Sequence, residues 1–149
     1  MALNPGDVLY IFTLFAKPKP KSKFAICICN IQKLFFLINS CPRKRTPEAN
    51  LLVKPEELPC LDHDSYIDTS QFFRYYSSEI ENAKESGVLS DHLKSKIKKV
   101  AIKNRYLTGN QKKLIKTNFV TQFDKSNNSS HCHIWSVIFA SIAGVTLNV

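Results

Sequence analysis

Four lysines fall within seven residues near the start of the chain, in the order K-P-K-P-K-S-K from Lys17 to Lys23. Ammonium groups at this density favour a ligand that carries phosphate. Pro18 and Pro20 cannot donate backbone hydrogen bonds to a neighbouring strand, and they stiffen the segment. We therefore predict a basic loop at the mouth of a sheet that holds a phosphate backbone through Lys17, Lys19 and Lys21.

The charge of the whole chain is unevenly distributed. The chain has 21 Lys and Arg against 12 Asp and Glu, a formal net charge of +9. Basic blocks without acidic residues span 17 to 45 and 94 to 116, and the acidic residues concentrate between them. This pattern indicates a surface for a polyanion, RNA or DNA, although solvated helix lysines also explain the second block. The first block ends in a triplet that we expect to bind nucleic acid as well, Arg43, Lys44 and Arg45.

Three short apolar runs flank the basic loop. They are rich in β-branched and aromatic residues and predict strands at Val8–Phe15, Phe24–Asn30 and Leu34–Asn39. Short connections predict an antiparallel meander, the beginning of a small barrel. We therefore predict a mainly β (α+β) fold, a small SH3-like antiparallel β-barrel followed by one or two C-terminal helices.

The rest of the chain continues this pattern. Further strand signals lie at 51 to 53, 66 to 68 and 72 to 76, and Gly87 is read as a turn. Ser90 or Asp91 is expected to cap one helix, and Thr108 or Asn110 a second. We assign residues 1–122 to the barrel with its helices, and residues 123–149 to a polar linker and an apolar tail. The apolar part of the tail, 134 to 147, is shorter than the about twenty residues that cross a bilayer, so membrane insertion is not expected.

The sequence contains only weak indications of other catalytic or metal-binding sites. The four glycines are isolated, which excludes a Walker-type phosphate loop, and no G-x-S-x-G motif is present. Cys60 and His63 form half of a zinc site, and the residues 131 to 133 add ligand types in the tail, but we predict no metal and no small-molecule cofactor. Asp62, His63 and Asp64 are candidate acid–base groups or ordinary turn residues. Five scattered cysteines fit a reducing cytoplasm.

The order of these segments resembles the MazF/PemK-like toxin family, the small SH3-like barrels (CcdB/PemK type) of toxin-antitoxin modules. The resemblance covers about residues 4 to 104 and is carried by PGDVLYIFTLF, the basic loop, KFAICI, FLINS, SYIDTS and GVLSDHLKSKIKKV. It implies a homodimeric, metal-independent endoribonuclease that cuts single-stranded RNA. It also implies an antitoxin protein that inhibits the enzyme by occupying the RNA groove.

The resemblance assigns two catalytic positions. Lys23 matches a basic residue, normally arginine, that steadies the phosphate, and Ser40 matches a threonine or serine after the third strand. Lysine lacks the planar fork of arginine. This departure leaves an alternative, a non-enzymatic RNA- or DNA-binding module of phage or mobile-element origin that uses the same surface. The aromatic residues at 35, 36, 72 and 73 could form a dimer surface or belong to the core.

Overall fold

Six antiparallel strands form one sheet in this computed structural model, which describes residues 2–121. The strands are β1 (Asp7–Thr13), β2 (Lys21–Cys29), β3 (Leu34–Asn39), β4 (Asn50–Val53), β5 (Ser65–Arg74) and β6 (Lys84–Val88). The helices are α1 (Ser77–Glu81), α2 (Asp91–Lys103) and α3 (Gly109–Asn118), and a short 3-10 turn spans Pro47–Ala49. The mainly β, α+β fold class is confirmed.

The strands lie in the order β4-β5-β3-β2-β1-β6, so β4 and β6 are the edges of the sheet within residues 2–121. This pairing does not confirm a closed SH3-like barrel, which stays a prediction. The first three strands, β1, β2 and β3, do form the predicted antiparallel meander. The predicted bounds of β3 are those observed.

The second strand begins earlier than predicted. Residues 21 to 23 pair with β1, with Lys21 opposite Thr13 and Lys23 opposite Ile11. Lys21 and Lys23 therefore belong to a strand, and only the segment that ends at Pro20 is the basic loop. The physical reason is that the prolines lack a backbone donor, whereas every residue after Pro20 in this segment has one.

The second half of the sheet contains elements that the sequence pattern did not predict. The two strand signals between residues 66 and 76 are one strand, β5, whose pairing with β3 shifts register between Phe35 and Leu37. Gly87 is not a turn, because it lies inside β6 and pairs with Val8 of β1. The β6 sequence KESGV has no apolar alternation, so this strand depends on its partner β1.

The sheet buries apolar side chains on both faces. One face carries Val8, Ile26 and Phe36 and is covered by α2 and α3 through residues such as Leu93 and Ile115. The other face carries a second cluster that includes Leu9, Ala25, Cys27, Phe35 and Tyr75. Phe35 and Phe36 are fully buried, so they are core residues.

Both long helices begin where the sequence predicts. The Ser90 hydroxyl accepts a hydrogen bond from the Leu93 amide at 3.2 Å, which caps α2. Thr108 caps α3 in a capping box with Gln111. No helix within residues 2–121 is long and apolar enough to cross a membrane.

The chain divides into two units, Met1–Phe119 and Val120–Val149. The strands and helices above all belong to the first unit. The domain boundary predicted between residues 122 and 123 and the apolar segment 134 to 147 lie outside the described residues.

A buried asparagine joins the end of α2 to the sheet. Asn104 is 2% exposed, and its side-chain amide donates to the backbone carbonyl and the hydroxyl of Thr69, both at 3.1 Å. Its side-chain oxygen accepts from the Tyr106 and Leu107 amides at 3.0 and 3.2 Å. One side chain therefore satisfies buried groups of β5 and of the α2–α3 connection.

We predict that Asn104→Ala lowers the free energy of unfolding by about 2–4 kcal/mol, because it leaves several buried polar groups unpaired. Urea denaturation monitored by circular dichroism measures this. Asn30→Ala, in an exposed turn, is the matched control and should change stability by less than about 0.5 kcal/mol. An Asn104→Ala variant as stable as the control would contradict the role assigned to this network.

Candidate nucleic-acid interface

One end of the second sheet face is polar, in contrast to its apolar centre. Opposite residues of an antiparallel pair project from the same face, and every second residue along a strand continues that face. Ala25 lies opposite Leu37, so Lys23 and Asn39 follow them toward the end of the sheet. The Lys23 ammonium donates a hydrogen bond to the side-chain oxygen of Asn39. This contact fixes the lysine beside the residue that precedes Ser40.

An ion pair lies next to this lysine. Arg43 donates to the Asp68 carboxylate at 3.1 Å, and Asp68 is only 1% exposed. The other carboxylate oxygen accepts from the Ser70 amide at 3.0 Å and from the Ser70 hydroxyl. Both oxygens of Asp68 are therefore satisfied, as a buried charge requires. Arg43 remains partly exposed, so part of its guanidinium is available to a ligand.

These groups line one open cleft with a volume of about 770 Å³, which we call the basic cleft. It extends over the start of β2, the end of β3 and much of β5, and Lys17 at the start of the basic loop also lines it. Its charged and polar lining includes Lys17, Lys21, Lys23, Asn39, Ser40, Arg43, Asp62, His63, Asp68 and Gln71.

The basic cleft disfavours the charge on its central lysine. Burial lowers the pKa of Lys23 below 10.5, and the positive charges of Lys21 and Arg43 act in the same direction. The negative charge of Asp68 opposes this effect. A ligand that brings its own negative charge would favour the charged form of Lys23 and so offset the cost of burial and the repulsion. The electrostatics of the cleft therefore favour an anion.

A histidine and a carboxylate lie on another wall of the cleft. The His63 ring nitrogen Nδ1 is hydrogen-bonded to the Asp62 carboxylate. Both side chains are exposed and line the cleft. Because Nδ1 is engaged by the carboxylate, Nε2 is the ring nitrogen left for a ligand. Such a pair can exchange a proton with a bound molecule.

Aromatic rings occur at two places in the cleft. Phe15 and Phe73 are stacked with ring centroids 4.8 Å apart and planes 9° apart, and Phe15 is 42% exposed. Tyr10 and Phe24 form a tilted pair with centroids 4.9 Å apart. All four residues line the cleft. Exposed rings beside cations are the arrangement on which unpaired nucleobases stack.

The structure brings five of the predicted site residues together in this cleft and leaves three outside its lining. Lys17, Lys21, Lys23, Ser40 and Arg43 line it, whereas Lys19, Lys44 and Arg45 do not. Lys19 is exposed and lies between Pro18 and Pro20 in the basic loop.

Sequence reasoning missed two residues of the cleft. The apolar pattern predicts Asn39 only as the end of a strand, and it predicts Asp68 only as a strand residue in an acidic region. One signal does indicate that Asp68 is a paired carboxylate: it lies between Ile67 and Thr69 in a buried strand, where an unpaired charge is rare. The partner Arg43 lies 25 residues away, so only the tertiary structure identifies it.

Metal-ligand side chains do not cluster within residues 2–121, where no three of His, Cys, Asp or Glu are placed to hold an ion. The cysteines 27, 29, 41 and 60 are free thiols. The potential ligands His131, Cys132 and His133 lie outside the described residues.

Comparison with known proteins adds no family assignment. No model of a known protein family matches this chain, and neither does any curated protein. The resemblance to the MazF/PemK-like family therefore stays a prediction.

We predict that Lys23→Met raises the free energy of unfolding at pH 7, because the folded protein holds a half-buried charge that the unfolded chain solvates. The gain should not exceed about 1 kcal/mol, because solvent screens a half-exposed charge. The penalty is complete below the lowered pKa of Lys23 and disappears as pH rises toward 10.5. The stability difference between variant and wild type should therefore shrink with rising pH.

Urea denaturation at low ionic strength, at pH 7 and at pH 9.5, measures this difference. Lys21→Met, at the exposed neighbouring lysine, is the control and should change stability less at both values. A Lys23→Met variant that is less stable than wild type at pH 7 would show that the hydrogen bond to Asn39 outweighs the burial penalty.

Proposed function

We propose that this protein is an endoribonuclease that cuts single-stranded RNA by attack of a ribose 2′-hydroxyl on the adjacent phosphate. The observation that carries the proposal is the convergence of Lys23, Arg43, Ser40 and the Asp62–His63 pair on one cleft. RNA supplies its own nucleophile in this reaction, so the protein needs a base, cations and a way to position the chain. The cleft offers each of them.

His63 is the proposed general base. Its Nε2 takes the proton of the 2′-hydroxyl as that oxygen attacks phosphorus, and Asp62 stabilises the imidazolium that forms. The bond from phosphorus to the 5′-oxygen breaks, which leaves a 2′,3′-cyclic phosphate on one fragment. The 5′-oxygen of the other fragment takes up a proton and leaves as a hydroxyl.

Lys23 and Arg43 are proposed to stabilise the charge that develops on the phosphate. Lys23 supplies a point charge, and its lowered pKa makes it a better proton donor to the leaving 5′-oxygen than an exposed lysine is. Arg43 supplies the planar fork that lysine lacks, held in place by Asp68. Ser40 would orient a phosphate oxygen through its hydroxyl. The absence of the usual arginine at position 23 is thus compensated by Arg43.

The aromatic lining of the cleft favours a single-stranded substrate over a double-stranded one. Phe15 presents a partly exposed ring beside Lys17 and Lys21, and stacking of a base on that ring requires that the base be unpaired. The cations of the cleft would bind the sugar-phosphate backbone of the RNA while the base stacks on the Phe15 ring.

The direct test is incubation of the purified protein with a mixed-sequence RNA in EDTA. We predict cleavage with 2′,3′-cyclic phosphate ends. His63→Ala should lower the rate about 10²- to 10⁴-fold. Arg43→Ala and Lys23→Ala should each lower it about 10²- to 10³-fold.

Lys44→Ala and Arg45→Ala are the matched controls, since both residues belong to the basic triplet but do not line the cleft. Their rates should stay within about threefold of wild type, because the exposed charges act only at a distance. Intact RNA at high protein concentration, or cleavage unaffected by Lys23→Ala and Arg43→Ala, would refute the nuclease.

The second candidate function is RNA or DNA binding without cleavage. It is favoured by the exposure of Asp62 and His63, because a base in open water gains little from a surrounding cleft. The two functions share one surface and differ in whether product forms. The nuclease assay above separates them.

Both candidates predict a steep salt dependence of binding. Four cations of the cleft, Lys17, Lys21, Lys23 and Arg43, can each neutralise one phosphate, and each contributes about −0.7 to the slope of log K against log salt for a single strand. The expected slope is therefore about −3. Titration of fluorescent 2′-O-methyl RNA, which cannot be cleaved, measures it. Arg43→Ala should reduce the slope by about 0.7, and an unchanged slope would place the phosphates elsewhere.

The proposal also covers the oligomeric state of the protein, its protein partner and its location in the cell. By its resemblance to the toxin family the protein would act in the cytoplasm as a homodimer, and an antitoxin protein would block the basic cleft. The apolar side chains of Phe12 and Leu14 are 54% and 68% exposed and lie on β1 or directly after it, so they are candidates for the dimer surface. Native mass spectrometry of the intact chain measures the oligomeric state.

A further inference from the structure

A second pocket, which is more open to solvent than the basic cleft and has a volume of about 510 Å³, lies at the other end of β3. The basic cleft is formed where β3 ends, whereas this pocket is formed where β3 begins and β5 ends, at the paired residues Leu34 and Arg74. The first half of α3 forms its other wall. We call it the carboxamide pocket, after the three side-chain amides that line it.

The polar lining of this pocket consists of hydrogen-bonding groups without a carboxylate. The carboxamides belong to Gln32, Asn110 and Gln111, and Arg74 adds a guanidinium. The Gln111 side-chain oxygen accepts from the Thr108 amide at 2.9 Å, so its position is fixed and its NH₂ group is left as a donor. Within residues 2–121 the side chains of Gln32, Arg74 and Asn110 are free to bond a ligand.

The apolar lining is a short platform of Leu34, Phe72 and Leu114. All three are partly buried. The Phe72 ring packs against the fully buried Phe36 with centroids 5.2 Å apart and planes at 49°. This contact holds Phe72 in place, so the platform is preformed.

We propose that the carboxamide pocket binds a single nucleotide, with the base on the Phe72 platform and the phosphate on Arg74. Carboxamides carry a donor and an acceptor side by side, which matches the edge of a nucleobase. Arginine binds phosphate through two parallel hydrogen bonds. A purely apolar ligand would make no use of the carboxamides and of Arg74, and a small anion alone would leave the platform uncovered. The volume also falls within the range of about 300–1,000 Å³ of small-molecule sites.

The pocket is independent of the proposed nuclease. None of the residues that line it lines the basic cleft. Along β5 the side chains alternate, so that Gln71 and Phe73 face the cleft and Phe72 and Arg74 face the pocket. Failure of one site therefore leaves the other unaffected.

Isothermal titration calorimetry of the full chain with AMP, GMP, CMP, UMP and inorganic phosphate tests the proposal. At least one mononucleotide should bind saturably and more tightly than inorganic phosphate does. Arg74→Gln should weaken that binding about tenfold or more, and Asn110→Ala should alter the order of preference among the four bases. Lys44→Gln, at a residue that lines neither site, is the control and should leave mononucleotide binding unchanged.

A 5′-phosphorylated 2′-O-methyl oligonucleotide, which the proposed nuclease cannot cut, distinguishes a free nucleotide from the end of an RNA chain. Equal affinity for both, with the same loss in Arg74→Gln, supports a mononucleotide site; tighter binding of the oligonucleotide with that same loss supports a site for the RNA end. Absence of mononucleotide binding at millimolar concentration would overturn the proposal. So would inorganic phosphate binding equal to that of every mononucleotide, or binding that is lost in Lys23→Gln and kept in Arg74→Gln.

Discussion

The buried carboxylate of Asp68 is the interaction on which the basic cleft depends. Asp68 lies on β5, between β4 and β3 in the sheet, and is 1% exposed; it is the acidic group that acts on Lys23 and pairs with Arg43. A buried charge without partners is unstable, so Asp68 constrains the chain to bring Arg43 back over the sheet from the loop after β3. Ser70 satisfies the remaining oxygen. The position of the guanidinium in the cleft is therefore a consequence of strand pairing, whereas Lys17 and Lys19 have no such anchor within residues 2–121.

The cleft concentrates like charges at a cost in stability. Lys23 is half-buried and close to Lys21 and Arg43, and both neighbours disfavour its charge. A structure selected only for stability would place an apolar residue at that position, since Ile11 lies opposite and Ala25 follows on the same face. The stability is supplied by the two apolar clusters and by buried polar links such as that of Asn104. Groups with a perturbed pKa, such as Lys23, concentrate at functional sites of proteins.

Local signals predicted most of the fold, and long-range pairing determined the rest. The bounds of β3 and the caps Ser90 and Thr108 follow from apolar runs and side-chain capping, which act within a few residues. The strand β6 could not be predicted, because it is held by pairing with β1. The grouping of Lys23 with Ser40 was implied by the resemblance to the toxin family, and both residues do line one cleft. The contacts of Asn39 and Asp68 were not predicted, because they depend on the register between β2, β3 and β5.

The central claim is that nucleic acid binds in the basic cleft and not along the lysines of α2. NMR chemical-shift mapping with a short 2′-O-methyl RNA tests this most directly, because it reports contact at each residue without requiring cleavage. The account predicts that the largest backbone and side-chain shifts occur at Lys23, Asn39, Arg43 and His63, with small shifts along α2. Shifts concentrated on α2, or spread evenly over the exposed lysines, would contradict it.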